Sequence, residues 1–172
     1  MRSFIFILVF LITLNRLGFS TVLQDIYENA VSGQGYDKLL ILHSDSIYTG
    51  GLLIAHPKVG IKGQGAIIDL TGGTIAINGN AEIDLDGCII INGNSGLHAI
   101  ESVAARITQC TFYGNQIGIH FMAASGVIEV VNTIIMRSTQ YGFACEESTI
   151  RTLHYIATYD NLQGDYMEWC PG

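Results

Sequence analysis

Between residues 83 and 166, apolar and polar side chains alternate in short runs that recur at a fixed interval. The runs at residues 83–90, 105–112, 128–135 and 150–157 superpose, with steps of 22, 23 and 22 residues from Cys88 to Cys110, Thr133 and Tyr155. A second mark keeps the same phase, with glycines at Gly96, Gly118, Gly142 and Gly164. Alternation within each run is the periodicity of a strand, and self-similarity at a fixed step is the signature of a solenoid. Gly and Asn between the runs, as in Asn92-Gly93-Asn94, Gly114-Asn115 and Asp160-Asn161, suit corners that need a left-handed backbone. The pattern therefore predicts an all-β parallel β-helix over residues 37–172, about six coils, with equivalent residues stacked about 4.8 Å apart. Ile83, Leu85, Ile90, Ile107, Phe112, Val130 and Ile135 are expected in one core, with Leu97, Ile119 and Phe143 on another of its walls.

One segment has helical rather than strand spacing. In residues 21–31, Leu23, Ile26, Tyr27, Ala30 and Val31 share a face, and Thr21-x-x-Gln24 has the form of a capping box. This predicts an N-terminal helix and turn over residues 21–36 that covers the open first coil, whose unpaired edge would otherwise recruit other chains. At the other end, residues 166–172 show no clear polar cap. Either Trp169 and its neighbours fold over the last coil, or the chain is a piece of a longer protein.

The upstream segments 38–43, 47–52, 59–65 and 66–69, and the later Asn115-Gln116-Ile117-Gly118-Ile119, resemble the coils of the pectin-lyase-like, right-handed parallel β-helix superfamily. The resemblance covers about residues 37–170 and implies that fold. It leaves activity open, because the superfamily holds polysaccharide lyases, hydrolases and esterases beside surface proteins with no known reaction. No specific enzyme family is matched. The chain lacks the Asp-Asp pair, Gly-His-Gly and Arg-Ile-Lys of the polygalacturonase-like hydrolases, and the Arg-x-Pro-x-x-Arg of pectate-lyase-like enzymes.

The first twenty residues stand outside this pattern. Arg2 precedes a short apolar run that ends at Gly18-Phe19-Ser20, which reads as a secretory signal peptide cut after Ser20; the alternative is an uncleaved anchor. Removing residues 1–20 takes away Arg2 and Arg16 and leaves six Lys and Arg against fifteen Asp and Glu, a net charge of −9. An acidic, exported chain of this kind is expected to be secreted, periplasmic or at the cell surface, with no membrane span after cleavage. It is poorly suited to nucleic acid and better suited to a polysaccharide or cell-surface glycan.

Candidate chemistry is sparse. His98 and His120 occupy equivalent places on neighbouring coils and are the candidates for shared acid/base work, although no third ligand accompanies them as a metal site would require. Glu82, Asp84 and Asp86 alternate along one strand and are candidates for ligand or calcium binding; otherwise no cofactor is expected. A structural reading competes, because the repeat places Lys62, Asp84, Arg106, Glu129 and Arg151 in one column of alternating charge. Cys88 and Cys110 are equivalent inward positions and form a candidate disulfide, with Cys145 and Cys170 as the other pair. The cysteine spacing does not suggest zinc. These observations favour an exported, non-catalytic module that binds a glycan or surface or acts as a spacer. The alternative is a carbohydrate-active enzyme, a polysaccharide lyase or hydrolase, or a fragment of one.

Overall fold

The computed structural model describes residues 20–101, 103–122, 126–145, 151–167 and 170. Short strands of three to six residues form three sheets, each visited once per coil. The first sheet stacks Ser20–Val22, Ile47–Thr49, Ile67–Asp69, Ile89–Ile91, Thr111–Tyr113, Ile134–Met136 and Ala157–Tyr159. The second stacks Lys38–Ile41, Lys58–Lys62, Glu82–Asp86, Ala104–Thr108, Ile128–Val131 and Arg151–His154. The third stacks Leu52–Ile54, Thr74–Ile77, Ser95–Ile100, Ile117–Met122, Tyr141–Cys145 and Gly164–Tyr166. Neighbouring strands in all three run parallel, and the fold is the parallel β-helix expected from the repeat.

The core is a single stack of inward residues. Ile83, Leu85, Ile90, Ile107, Phe112, Val130 and Ile135 are fully buried in it, as are Leu97, Ile119 and Phe143 on the third-sheet wall. From the second coil on, two corners of each coil use a left-handed residue. After the second sheet these are Gln64, Gly87, Gln109, Asn132 and Tyr155; after the first they are Thr71, Asn92, Gly114, Arg137 and Asp160. Side chains other than Gly and Asn therefore occupy several corners. The strand ladders on either side over-determine the corner and hold a conformation that costs about 1–2 kcal/mol in isolation.

The N-terminal helix is shorter than expected, Leu23–Asn29, and Thr21 lies instead in a strand that pairs with Ile47–Thr49. No side chain caps its N-terminus. The Gln24 carboxamide, predicted to close a capping box, accepts a hydrogen bond from the Leu53 amide at 3.1 Å and so ties the helix to the open third-sheet edge. Val31, expected on the apolar face, is exposed. At the other end Lys38 Nζ donates to the carbonyls of Tyr27, Glu28 and Ala30 at 2.9, 2.8 and 3.2 Å, a cation placed where the helix leaves its carbonyls without partners. Leu23 and Tyr27 are buried in the first coil, and the Tyr27 hydroxyl accepts from the Ala55 and His56 amides. The helix thus covers the start of the solenoid. Trp169 and residues 1–19 lie outside the described residues, and among the described residues no helix is long and apolar enough to cross a membrane.

Candidate functional site

The outward face of the second sheet carries most of the charged side chains that the sequence singles out. Its register sets Asp84 beside Arg106 and Arg106 beside Glu129, as expected, and Arg106 Nε lies 3.2 Å from Glu129 Oε2. Two steps of the expected column differ. The Cα partner of Glu129 is Thr152, while Arg151 falls opposite Ile128; the Cα partner of Lys62 is Asp86, while Asp84 faces Gly60. The step to Arg151 is off by one residue, a shift that exchanges the two faces of a strand, whereas the step to Lys62 is off by two, which keeps Lys62 on the outward face, where its Nζ still reaches Asp84 Oδ2 at 3.3 Å.

Glu82, Asp84 and Asp86 do not face solvent together. Glu82 is exposed and lies 3.3 Å from Lys58 Nζ. Asp86 accepts a hydrogen bond from the Thr108 hydroxyl at 2.7 Å. Asp84 is only 9% exposed, because Tyr36 lies across it. Tyr36 stands in the turn that begins at Gly33, and its hydroxyl donates to Asp84 Oδ2. Lys62 Nζ reaches the same oxygen at 3.3 Å, while Asp84 Oδ1 is buried with no hydrogen-bond partner. Gly60 makes this arrangement fit: a Cβ there would come within 2.9 Å of the Tyr36 ring. Lys58 and Lys62 both hold their ammonium groups 5.9 Å from the ring centroid, within cation–π range. The three carboxylates thus make separate contacts along the sheet, Glu82 with Lys58, Asp84 with Tyr36 and Lys62, and Asp86 with Thr108 and Lys62. Sequence reasoning missed Tyr36 and Gly60, and the one available signal was a glycine at an outward strand position between two lysines.

The hydrogen bond to Asp84, with burial and the neighbouring carboxylate charge, pushes the Tyr36 phenol from 10.0 up to about 12. The fold stabilises the protonated phenol, so this contribution is complete below the ordinary value of 10.0 and disappears as pH rises through about 12. A difference titration of phenolate absorbance, wild type minus Tyr36→Phe, is expected to place this group near pH 12. In an Asp84→Asn background it should return toward 10. A Tyr36 that ionises with the ordinary tyrosines in the wild-type chain would refute the clasp.

Beside the clasp lies an open depression of about 410 Å³, lined by Lys62, Asp86, Arg106, Thr108, Gln109 and Asn132 among others. Its acids and bases are partly committed to each other, at Lys62 to Asp84 and Asp86 and at Arg106 to Glu129.

His98 and His120 are Cα partners on adjacent third-sheet strands, with Ala76 and Ala144 in the flanking places. In the last coil Tyr166 aligns with the inward Phe143. The two imidazoles stack, with centroids 4.7 Å apart and planes 5° from parallel. Nitrogen lone pairs lie in the ring plane, so parallel stacked rings direct them side by side rather than at one ion. This placement does not suit shared metal ligation. Among the described residues no group of three or more His, Cys, Asp or Glu side chains gathers as a metal site would require.

Cys88 and Cys110 are different in kind. They follow each other on adjacent coils just before the paired strands Ile89–Ile91 and Thr111–Tyr113, both are buried, and both are reduced in the structure. The Cys88 thiol donates to the Asp86 carbonyl at 3.6 Å and the Cys110 thiol to the Thr108 carbonyl at 3.2 Å; the neighbouring Cys110 thiol, with burial, pushes Cys88 well above the ordinary thiol range. Two soft sulfur donors side by side are the described pair whose chemistry suits a soft, low-coordinate metal ion.

No curated protein and no solved structure matches this chain significantly. Residues 28–164, most of the chain and nearly all of the solenoid, match the family described as NosD, periplasmic copper-binding protein. The chain belongs to the NosD family of parallel β-helix proteins.

Proposed function

We propose that this protein is an exported, non-catalytic binding module that presents the long outer faces of its solenoid to a neutral polysaccharide or glycan-bearing surface. Export is consistent with the periplasmic description of its family. The observation that carries the non-catalytic reading is the pairing on the second sheet. Lys58 with Glu82, Lys62 with Asp84 and Asp86, and Arg106 with Glu129 use the outward acids and bases on one another. Hydrolysis or elimination needs an acid and a base held apart across a bound sugar, with proton affinities matched to the task.

The first sheet supports the glycan. Its outward side is apolar over several coils, with Ile47, Ile134, Tyr113 and Tyr159 exposed and Ile89, Ile91 and Met136 half-buried. Tyr113, Met136 and Tyr159 follow one another in register, so the two phenol rings stand two coils apart, about 9.6 Å. Arg137 and Asp160 edge this stripe with hydrogen-bonding groups, Arg137 donating to Asp160 at 3.1 Å and to the Tyr113 hydroxyl at 3.2 Å. A flat apolar stripe with a polar rim fits the carbon-bound faces and hydroxyl edges of sugar rings, and the chain's net negative charge disfavours polyanions.

The test is twofold. The purified chain should be retarded in affinity electrophoresis through neutral polysaccharides, with retardation lost in Tyr113→Ala/Tyr159→Ala. It should also leave pectin, polygalacturonate and alginate uncleaved. Release of unsaturated or reducing ends that vanishes in His98→Ala or His120→Ala would establish the enzyme instead.

A further inference from the structure

We infer that Asn78 is a site of spontaneous deamidation, where the folded chain acquires a carboxylate without any enzyme. This goes beyond the glycan-binding reading and does not rest on it. An asparagine followed by glycine is the step most open to this chemistry, because the glycine has no side chain to obstruct its own amide nitrogen. The chain has three steps from Asn or Asp to Gly, at Asn78-Gly79, Asp86-Gly87 and Asn92-Gly93. Exposure does not separate the two asparagines, since Asn78 and Asn92 are both exposed. The glycine amide does separate them. Gly93 is buried and its amide donates to Asn115 Oδ1 at 2.8 Å, while the Asn92 carboxamide donates to Asp69 Oδ2 at 3.1 Å. At the Asp86 step the Gly87 amide donates to the Thr108 carbonyl at 3.0 Å, and the Asp86 carboxylate is held by the Thr108 hydroxyl. Gly79 stands in the turn between Ile77 and Glu82, outside the strand ladders, and among the described residues its amide meets no acceptor. The space at its Cβ position is open.

The reaction needs only that nitrogen, the Asn78 carboxamide and water. Hydroxide takes the Gly79 amide proton, the nitrogen attacks Asn78 Cγ, and the new C–N bond closes a five-membered succinimide. The bond from Cγ to the side-chain nitrogen breaks, that nitrogen takes a proton from water, and ammonia leaves. Water then opens the ring at one carbonyl or the other, giving aspartate or isoaspartate. An amide that is already hydrogen-bonded must first give up its acceptor, which at the buried Gly93 strands polar groups away from water. Either product adds one negative charge to an already acidic chain. The isoaspartyl product also lengthens the main chain by a methylene, in the corner that feeds the strand Glu82–Asp86.

The full purified chain is incubated folded at mildly alkaline pH and followed by peptide mapping with site-resolved fragmentation, which reports the mass gain of amide-to-carboxylate conversion and separates aspartyl from isoaspartyl products. Asn78 is expected to convert at least about tenfold faster than Asn92, whose reaction begins by breaking a buried hydrogen bond. Conversion at Asn78 should quicken as pH rises, because the attacking nitrogen is the deprotonated one. In chemical denaturant neither glycine amide has a fixed partner, so the two rates should converge, and that comparison needs no variant. Asn78→Gln should remove the signal at this position, since a glutamine must close a larger ring. Asn115→Ala, checked for folding by thermal unfolding, should release the Gly93 amide and raise the rate at Asn92 toward that at Asn78. The inference is overturned if folded Asn92 converts as fast as Asn78, if folded Asn78 stays intact over the time in which the denatured chain converts, or if a folded Asn115→Ala protein leaves Asn92 as slow as in the wild type.

Discussion

Replacing Gly118 by alanine is expected to destabilise the protein by about 3 kcal/mol, the upper part of the range for forcing extra volume into a packed interior. Gly118 belongs to the glycine column that marks the repeat, and its place in the fold explains the mark. A Cβ there would lie 2.3 Å from Ile135 Cγ2 and 2.4 Å from the Gly142 carbonyl oxygen. The side chain of Ile135 could yield, but the carbonyl belongs to the next coil and is tied into its ladder. Gly96 repeats the arrangement one coil earlier, against Phe112 and the Gly118 carbonyl. Each glycine thus lets a bulky inward residue occupy its coil. Gly114 supplies the contrast. It has a left-handed backbone, φ 62°, and open space around its Cβ position. Gly114→Ala should cost about 1 kcal/mol for backbone strain alone, and Gly114→Asn less, since Asn92 holds the equivalent corner. Chemical denaturation of the three variants checks the order, and a Gly118→Ala protein as stable as Gly114→Asn would contradict it.

The second large effect is expected at Asn115. This side chain is fully buried, accepting from the Gly93 amide at 2.8 Å and donating to the Ile90 carbonyl at 3.1 Å, so it clasps its own coil to the preceding one. Asn115→Ala strands both backbone groups away from water, and at about 1–3 kcal/mol for each unsatisfied group the loss should reach about 3 kcal/mol. Asn161 makes the same clasp two coils later, to the Ser138 amide at 2.9 Å and the Ile135 carbonyl at 3.4 Å. It is only half-buried, so Asn161→Ala should cost less. Asn115→Asp separates donor from acceptor. It keeps the bond from Gly93 but sets a carboxylate against the Ile90 carbonyl, which raises its folded pKa. Relative to wild type this variant should do best below the ordinary aspartate range and lose stability as pH rises through the raised value. Equal loss in Asn115→Ala and Asn115→Asp at all pH values would mean that the clasp is not the source of the stability.

Much of this was written in the chain. Period and alternation were enough to place Ile83, Phe112 and Phe143 in one core and His98 beside His120, because in a stacked coil each residue's nearest neighbours are its own equivalents. The glycine column was visible too, though not its cause. What the sequence left undecided depends on contacts between segments that the repeat does not relate. Tyr36 precedes the regular coils, and nothing in the period connects it to Asp84, yet it covers that carboxylate and removes it from the surface. Lys38 and Gln24 serve the helix and first coil through backbone groups that have no sequence signature. Arg151 shows the limit from the other side, since one residue more or less between coils changes the face on which a position falls, and a mean period cannot resolve one residue. By itself the sequence determined the solenoid, its core and the pairing of like positions, because those follow from a repeated pattern stacked on itself. Only the tertiary structure decided which charges meet and which carboxylate is covered, because those depend on single-residue register and on an N-terminal segment packed across the coils.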